Sequence, residues 1–211
     1  MKIQILIDNP NSWMINYAED FVKSISKISS DVKLIYSHKD VLKGDILFLL
    51  SCEKVFTKLS LNKYNLVVHE SDLPKGKGWS PMTWQILNGF KKIPIVIFEA
   101  NPTIDSGEIY EKIIINTKGT ELINELRELQ AKATLKLILN FIKKYPKITG
   151  FKQNGEETFY SKRSSVDSKL DVNKSIIDQF NLLRVCDNDR YPAFFEIDKE
   201  KYIIKIYKEN G

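Results

Sequence analysis

The chain has 211 residues, of which 43% are apolar and 28% charged. This is an ordinary globular composition, and the length can bury a sizeable core in one main domain without disulfides or metal. The formal net charge of +5 suits an anionic partner, but acidic residues are interspersed, so the charge alone does not indicate nucleic acid binding.

Several classes of protein are disfavoured by what the sequence lacks. The N-terminal segment MKIQILIDNP has no basic start, apolar core and cleavage site of a signal peptide. The longest apolar runs, DILFLLSC and KIPIVIFEA, are too short to cross a bilayer. Cys52 and Cys186 lie far apart, which argues against a paired metal site or a redox dithiol. We therefore expect a cytoplasmic protein with reduced thiols, no membrane span and no metal.

Apolar runs alternate with helical periodicities along the first two thirds of the chain. In order, the predicted elements are a strand at 2–8, a helix at 16–28, strands at 31–37, 45–51 and 63–69, a helix at 82–90, strands at 92–100 and 108–116, and a long helix at 119–145. Such alternation predicts an α/β domain with a mainly parallel sheet. The last two strands are joined by a loop too short for a crossover helix, so they are predicted to be antiparallel.

The character of the chain changes after Pro146. The segment KITGFKQNGEETFYSKRSS is polar and rich in turn residues. DVNKSIIDQFNLLRVC then predicts one amphipathic helix, whose apolar set is Ile176, Ile177, Phe180, Leu183 and Val185. AFFEIDKEKYIIKIYK predicts a terminal β-hairpin with its turn near 198–200. We therefore expect a main domain at 1–150 and a small appendage at 151–211 that packs on it.

Polar clusters follow the carboxyl ends of several predicted strands. DNPNSW follows the first strand, SCEK the third, HESDLPKGKGW the fourth and NPTIDSGE the fifth. Because ligand sites of open α/β sheets form at this edge, we expect Asn9, Ser51, His69 and Asp105 to converge there. His69 is the candidate acid–base group, since imidazole titrates near neutral pH. A lone histidine at a strand end often serves only as a structural hydrogen-bonding residue, and that alternative stays open.

The combination of segments is more specific than any single residue in it. From His69 to Ile86 the chain reads HESDLPKGKGWSPMTWQI, and after the next strand DSGEI runs from Asp105 to Ile109. This pattern resembles the folate-dependent formyltransferases, which move a formyl group from 10-formyltetrahydrofolate to an amine. The family includes methionyl-tRNA formyltransferase, glycinamide ribonucleotide transformylase and enzymes that act on nucleotide-linked amino sugars. The resemblance implies a Rossmann-like formyltransferase fold and no metal.

The tail resembles that of the sugar-nucleotide enzymes within this family. There an arginine and an aspartate precede a helix that ends in an arginine and is followed by a Pro-x-Ala-Phe segment; the matching residues here are Arg163, Asp167, Arg184 and Pro192, the last followed directly by Ala-Phe. The resemblance implies formyl transfer to a nucleotide-diphosphate amino-deoxysugar, for surface glycan biosynthesis, with no nucleic acid partner. The apolar faces of the tail would also suit a homodimer, although they could equally pack internally.

Within the resemblance, His69 would be the base and oxyanion partner, and Asp105 its electrostatic and proton-relay partner. The residues implied to contact the folate are Leu50, Ser51, Cys52, Ser71, Lys77, Gly78, Asn101 and Ile104. Those implied to contact the acceptor are Asn9, Asn11, Trp13, Arg163 and Arg184. For the two arginines an internal salt bridge is an equal alternative, and for Trp13 core packing is one.

The sequence departs from the family pattern in two places that bear on activity. Val67 stands where the family has an asparagine, and Asn65 is ~13 Å away along the strand and cannot simply replace it. Ser51, Asn101 or loop N–H groups are the alternative donors. Lys77 stands where arginine is usual, which keeps the charge but loses the planar fork. Two other functions therefore stay open: transfer to another small amine, or folate or sugar-nucleotide binding without catalysis.

Overall fold

The computed structural model describes residues 1–209. In chain order its strands are β1 (Lys2–Leu6), β2 (Asp31–Ile35), β3 (Gly44–Leu49), β4 (Asn62–His69), β5 (Lys77–Gly78), β6 (Lys92–Glu99), β7 (Ile109–Asn116), β8 (Phe159–Tyr160), β9 (Ala193–Ile197) and β10 (Glu200–Ile204). Its α-helices are α1 (Ile15–Ser26), α2 (Pro81–Leu87), α3 (Ile123–Lys144) and α4 (Phe180–Val185). Every element predicted for the first 145 residues is present, with ends shifted by a few residues.

The centre of the molecule is a six-stranded sheet in the order β2-β1-β3-β4-β6-β7. The first four strands of this order pair in parallel. β6 pairs antiparallel to β4, and β7 antiparallel to β6. The short β6–β7 connection leaves no room for a crossover and so requires the second of these pairings to be antiparallel. The prediction of a mainly parallel α/β sheet with an antiparallel edge is confirmed.

Both faces of the sheet are covered, which explains why its strands read as continuous apolar runs. Side chains alternate along each strand, so Ile5 packs in the cluster beneath α1 and α3 while Leu6 packs in a second cluster on the opposite face. The first cluster is the larger. The second is closed by loop residues, including Val41 and Phe56. Within residues 1–209, no helix combines the length and apolar character needed to cross a membrane.

Phe141 of α3 joins the long helix to the sheet. Its ring is fully buried and meets the rings of Phe48, Tyr64 and Tyr110 edge to face, with centroids 6.4, 5.2 and 5.1 Å away. These partners come from β3, β4 and β7, so one side chain spans most of the width of the sheet. Edge-to-face pairs add to the burial energy of each ring. Phe141 is therefore a principal contact that holds α3 in place.

The segment after residue 150 packs against the main sheet domain through its own short elements. β8 pairs in parallel with β5, and Trp84 of α2 stacks on Tyr160 with ring centroids 6.2 Å apart. The terminal hairpin of β9 and β10 is present as predicted, and Asp198 and Lys199 form its turn with positive φ. A domain boundary at residue 150 stays a prediction.

The amphipathic helix predicted before the hairpin is wrong in its first half. Only α4 is α-helical, and a single 3-10 turn precedes it. Ile176 and Ile177, predicted as part of the apolar face, are 73% and 79% exposed. The Gln179 side chain accepts a hydrogen bond from the Asp171 N–H and donates to the Asp171 carbonyl. These side chain–backbone bonds close a turn that competes with the helical hydrogen bonds.

The role of Phe141 gives a stability prediction. Phe141→Ala is expected to lower the free energy of unfolding by ~3–5 kcal/mol, since it leaves a cavity at the junction of α3 and the sheet. Urea denaturation would measure it. The matched control is Phe90→Ala, because Phe90 is largely exposed, and its expected change is within ~0.5 kcal/mol. Equal losses for both variants would contradict this account of the core.

Candidate active site

A cavity of about 490 Å³ opens at the carboxyl edge of the parallel strands. Asn9, Ser51, His69 and Asp105, the four residues expected to converge at this edge, all line it. They come from four separate loops or strand ends, so the sheet topology is what brings them together.

The His69 ring has a fixed orientation at the end of β4. It is nearly buried, and its Nε2 atom lies 2.8 Å from the carbonyl oxygen of Gly76. A carbonyl can only accept, so Nε2 carries a hydrogen and donates it. Nδ1 is then the nitrogen that accepts a proton when the ring is neutral. Phe98 meets the ring edge to face and restricts its rotation.

Asp105 stands beside this histidine, with one carboxylate oxygen 4.0 Å from the Nε2 atom of His69. The same oxygen accepts a hydrogen bond of 2.8 Å from the Gly78 N–H. Asp105 has a φ of 50°, a left-handed conformation that an aspartate adopts at some energetic cost, and the Gln153 amide binds its carbonyl oxygen. The carboxylate is therefore held near enough to stabilise an imidazolium when one forms.

The loop that carries these hydrogen bonds depends on the tail of the chain. Gly78 has a φ of +94°, and a Cβ there would lie 2.5 Å from the carbonyl oxygen of Tyr160, so only glycine fits the β5–β8 pairing. The Lys77 side chain points away from the cavity and is buried in an ion pair of 2.5 Å with Glu157. The loop is thus fixed from both sides, by His69 and by the tail.

The residues predicted to contact a folate divide into two groups. Those that line the cavity are Leu50, Ser51, Cys52, Gly78, Asn101 and Ile104. Ser71 and Lys77 do not line it. The Ser71 hydroxyl is buried without a hydrogen-bond partner among the described residues, and Lys77 is engaged by Glu157. The position of Lys77 indicates that its charge anchors the tail and does not face a ligand.

The residues predicted to contact the acceptor also divide. Asn9, Trp13 and Arg163 line the cavity, and the Arg163 Nε atom is buried without a hydrogen-bond partner in residues 1–209. Asn11 and Arg184 do not line it.

Arg184 is only 2% exposed, and its guanidinium lies 3.5 Å from the Glu121 carboxylate and donates to the Asn181 side chain. For Arg184, the structure therefore contains the internal salt bridge that the sequence left as an alternative to ligand contact.

A set of cavity residues escaped the sequence analysis, namely Glu70, Arg127, Gln130, Thr134, Lys162, Arg190 and Tyr191. One signal for them was present. Arg127, Gln130 and Thr134 recur at helical spacing and interrupt the apolar pattern of α3, which marks a polar patch on an otherwise buried side. For Lys162 and Arg190 no local signal existed, because the tail folds back onto the cavity.

One wall of the cavity is cationic. We call it the cationic wall and define it by Arg127, Lys162, Arg163 and Arg190. The Lys162 ammonium lies 4.2 Å from the centroid of the Trp79 ring, and Arg127 lies 6.0 Å from that of Trp13. Asp187, 2.7 Å from Arg127, is the acidic residue paired with this wall. Cations next to flat aromatic rings suit a ligand that joins anionic groups to an aromatic base.

The lining of the cavity comes from both faces of the sheet, and we divide it into two lobes accordingly. Val67 packs with the apolar clusters on one face, and Val68 packs with the cluster beneath α1 and α3 on the other. Strand alternation places His69 on the side of Val67. Glu70 follows the last residue of β4, and its hydrogen bond with Gln130 of α3 places it on the side of Val68. We define the His69 lobe by Val67, His69, Phe98, Asn101 and Asp105, and the Glu70 lobe by Val68, Glu70, Met82, Arg127 and Gln130.

The His69 lobe has an apolar wall where the family pattern would place a carboxamide, because Val67 lies there. Asn65 does not replace it: its amide nitrogen donates to the Leu59 carbonyl, away from the cavity. Asn101 has its amide oxygen bound by the Ser106 hydroxyl at 2.9 Å, which turns its N–H groups to the other side. Asn101 is therefore the side-chain amide donor that this lobe offers.

Neither thiol is poised for nucleophilic chemistry. Burial raises the pKa of Cys52 to about 12 and also raises the pKa of Cys186, so both remain protonated near neutral pH. In the part of the chain that the structure describes, no three His, Cys, Asp or Glu side chains stand close enough together to hold a metal ion. The chemistry that this site can perform from its own residues is proton transfer and charge stabilisation.

No protein-family model matches this chain. Individual relatives do match it. The methionyl-tRNA formyltransferase of Buchnera aphidicola is 32% identical over 176 residues, covering 80% of this chain and 53% of the relative. That of Mycoplasma capricolum is 30% identical over 228 residues, covering 99% of this chain and 70% of the relative. The chain spans about half the length of most curated relatives that it matches.

Solved structures share the fold. Methionyl-tRNA formyltransferase from Clostridium thermocellum has a TM-score of 0.81 at 20% identity, covering 100% of this chain and 94% of that one. A sugar N-formyltransferase from a Shewanella species has a TM-score of 0.73 at 15% identity, covering 100% and 99%. HypX from Aquifex aeolicus, in complex with tetrahydrofolic acid, has a TM-score of 0.77 at 13% identity, covering 98% and 37%. These similarities confirm the fold that the motifs imply.

The dependence of the loop on the tail gives a second prediction. Gly78→Ala is expected to lower the free energy of unfolding by at least ~3 kcal/mol. The cost of an alanine in the left-handed backbone conformation and the cost of its clash with Tyr160 add up. Gly89→Ala is the matched control: Gly89 has a φ of +82°, but its added Cβ would meet nothing within 4 Å, so a loss of ~1 kcal/mol is expected. Thermal or urea unfolding measures both, and similar losses would show that β8 does not restrain the loop.

Proposed function

This chain belongs to the formyltransferase family, and on that premise we propose that it transfers a formyl group from 10-formyltetrahydrofolate to a primary amine. The observation that carries the proposal is the joint placement of His69, Asp105 and the Gly76–Gly78 loop in one cavity at the carboxyl edge of the sheet. Acylation of an amine needs a group that accepts the amine proton, and an oriented imidazole beside a carboxylate can do this.

The His69 lobe fits the folate. Val67 and Phe98 are paired across β4 and β6 and form its apolar base, and Asn101 and Asp105 add polar groups. A flat heteroaromatic ring with hydrogen-bonding edges suits an apolar slot that ends in a few polar groups. The folate supplies the formyl carbon when bound. Leu50, Cys52 and Ile104 would complete the slot from the loops on either side, since they line the same cavity.

His69 and Asp105 would accept the proton and stabilise the charges that arise during formyl transfer. A neutral amine is needed for attack on the formyl carbon, and the Nδ1 atom of a neutral His69 ring can take a proton from the attacking nitrogen. The formyl oxygen gains negative charge at the same time, and an imidazolium or the Asn101 amide can stabilise it. Asp105 would offset the positive charge on the ring at 4.0 Å. The hydrogen bond to Gly76 keeps the ring from turning away.

The acceptor that we propose is a nucleotide-linked amino-deoxysugar, and the product would serve surface glycan biosynthesis. The cationic wall supports this choice, because guanidinium and ammonium groups bind diphosphates, and neighbouring Trp13 and Trp79 offer flat surfaces to a base or sugar. Likeness to a sugar N-formyltransferase in fold adds to it. An aminoacyl-tRNA is also anionic, and transfer to methionyl-tRNA is therefore an explicit outcome of the test below.

Val67 favours a second candidate function, the binding of folate or a sugar nucleotide without turnover. It places an apolar side chain where a carboxamide donor would face the formyl oxygen. Loss of one such donor typically lowers turnover ~100- to 1000-fold. Asn101 is a substitute donor in the same lobe, which is why catalysis remains the first candidate. Folate binding without turnover on any acceptor would establish the second.

A turnover assay tests the proposal directly. The protein is mixed with 10-formyltetrahydrofolate and a panel of dTDP-, UDP- and GDP-linked 3-amino and 4-amino sugars, with methionyl initiator tRNA as a further acceptor. Mass spectrometry detects the formylated product. We expect one sugar nucleotide to be formylated, and His69→Ala to reduce kcat by ~100-fold or more, since it removes the base. The control is His38→Gln: His38, the only other histidine, pairs with Asp8 outside the cavity.

The outcomes of this assay are distinct. If only tRNA is formylated, the proposed reaction stands, but the acceptor is tRNA and not a sugar nucleotide. Formylation that survives His69→Ala would refute the assigned base. If no product forms but folate binding is measurable, the proposed enzymatic function is rejected in favour of ligand binding without turnover.

The cationic wall gives a separate prediction. Arg190→Ala and Lys162→Ala are each expected to raise KM for the sugar nucleotide about tenfold while KM for the folate stays unchanged, because a lost charge-assisted hydrogen bond is worth ~1.5–3 kcal/mol. The control is Lys169→Ala, whose ammonium pairs with Glu196 on the tail surface, outside the cavity. Equal effects of all three variants would mean that the wall acts only through overall charge.

A further inference from the structure

Glu70 is a buried carboxyl group that the reaction described above leaves without a task. It directly follows His69, lines the cavity and is 9% exposed. Its side chain belongs to the Glu70 lobe, on the opposite face of the sheet from the His69 ring. The Gln130 amide of α3 favours its ionised form, as does the charge of His69. The acid therefore lies on the side from which the acceptor would approach, in the cavity that the cationic wall also lines.

Within residues 1–209, no ion pair includes the Glu70 carboxyl group. Glu121, the other fully buried acid of this range, differs because it is paired with Arg184. Burial raises the pKa of Glu70 accordingly. An unpaired buried carboxylate is unfavourable, and such groups cluster at functional sites.

We propose that Glu70 binds the acceptor amine as its ammonium ion and removes the proton that must leave before the nitrogen can attack. The inference rests on the proposed formyl transfer for the reaction that it serves. It assigns a cation-binding role at the acceptor side, where no ion pair within the described residues engages this carboxylate. It also names the chemical feature selected, a primary amine that arrives protonated.

The protons balance in this scheme. The ammonium R–NH₃⁺ gives one proton to the Glu70 carboxylate, which becomes a neutral carboxylic acid. The amine nitrogen then forms a bond to the formyl carbon, and the bond from that carbon to the folate nitrogen breaks with its electron pair. A second amine proton passes through His69 to that folate nitrogen, and the third stays in the formamide N–H. Glu70 returns its proton to solvent before the next turnover.

The two bases do not duplicate each other, because they act in different lobes. The Nε2 atom of His69 is hydrogen bonded to Gly76, and the ring lies beside Asp105, so His69 acts when the amine attacks the formyl carbon. Glu70 acts before that step, when the protonated amine binds. The charged groups that act on it are His69 at the end of β4 and Asp105 after β6; Arg127 of α3 lines the same cavity, and Gln85 of α2, which contacts the Glu70 backbone, is uncharged. Transfer of the ammonium proton to Glu70 is aided by Asp105, whose charge disfavours a second carboxylate nearby.

The contact that ties the Glu70 backbone to α2 does not use the Glu70 carboxyl group. The Gln85 amide donates a hydrogen bond of 2.5 Å to the Glu70 carbonyl, and this bond does not involve the carboxyl group. Glu70→Gln keeps the size of the side chain but can neither take the proton nor carry the charge. It should therefore fold normally and isolate the proposed role.

The first test compares the pH profiles of the intact chain and its Glu70→Gln variant on the sugar nucleotide that the wild type formylates. At pH 7 we expect kcat/KM for the acceptor to fall ~100-fold, with KM for the folate unchanged. The deficit should narrow as the pH rises toward the solution pKa of the acceptor amine, because the amine then arrives already neutral. A loss that is constant with pH, or no loss, would overturn the proposal.

The matched control is Glu99→Gln. Glu99 is another substantially buried glutamate whose pKa is raised by burial, but it is hydrogen bonded to Tyr110 and the Asn65 N–H and does not line the cavity. Its kcat/KM should remain within about twofold of the wild type across the profile. A loss equal to that of Glu70→Gln would mean that buried glutamates matter only for structure, and would overturn the proposal.

A binding measurement separates failure of this inference from failure of the proposed function. Titration calorimetry compares each amino sugar nucleotide with the counterpart that has a hydroxyl in place of the amine. The wild type should prefer the amine about tenfold or more at pH 7, and Glu70→Gln should lose that preference. Absence of turnover with the preference intact would reject formyl transfer and keep Glu70 as the amine site. Turnover without the preference, or no preference for any amine, would overturn the role of Glu70.

The thermal stability of Glu70→Gln distinguishes the proposed role from a structural one, because the two roles predict opposite changes in Tm. The raised folded-state pKa means that, between the ordinary value of 4.5 and the folded-state value, the folded state holds a proton that the unfolded state has lost. Wild-type stability should therefore fall with rising pH relative to Glu70→Gln, and the variant should have an equal or higher Tm at pH 7. A lower Tm for the variant at every pH would indicate a structural carboxylate and overturn the proposal.

Discussion

Two backbone groups of one loop orient the chemistry of this site. The Gly76 carbonyl binds the imidazole of His69, and the Gly78 N–H binds the carboxylate of Asp105. These side chains come from the ends of different strands, and the loop between them sets their separation of 4.0 Å. The loop is held in place from outside, because its short strand β5 pairs with β8 of the tail. The geometry of the candidate site is therefore coupled to the docking of the tail.

The cavity edge carries unfavourable features that the rest of the fold compensates. Ser51, Ser80 and Asp105 all line it with φ near +50°, a conformation that side-chain-bearing residues adopt at a cost. Glu70 adds a buried acid without a cationic partner in the described chain. The sheet beneath is continuous, apolar and covered on both faces, so it can hold these groups in place. Strain and unpaired charge gather where a ligand would bind, as expected of a site that stability alone would not produce.

The two faces of the sheet give the cavity two different chemical surroundings. The His69 lobe has the apolar Val67 and Phe98 at its base and suits a flat one-carbon donor. The Glu70 lobe includes Arg127 of the cationic wall and suits an anionic molecule that carries an amine. His69 ends β4 and Glu70 directly follows it, so the two lobes meet at neighbouring residues of the chain. In the proposed reaction these two neighbours would serve different substrates.

The sequence by itself determined the α/β class, the antiparallel edge, the terminal hairpin and the edge of the sheet at which Asn9, Ser51, His69 and Asp105 meet. These features follow from local periodicity and from the topology of parallel strands, which are both written in short stretches of chain. The helix expected around Ile176 failed because side chain–backbone bonds from Gln179 compete with helical ones, which apolar spacing does not reveal.

Only the tertiary structure decided which charged residues face the cavity. Lys77 pairs with Glu157 and Arg184 with Glu121, while Lys162 and Arg190 reach the site from the tail. Partners so distant in sequence are chosen by packing, and a single sequence does not encode that choice in any local pattern. For the same reason Glu70 read only as a polar neighbour of His69, until the fold showed that it is buried, lines the cavity and belongs to no ion pair within residues 1–209.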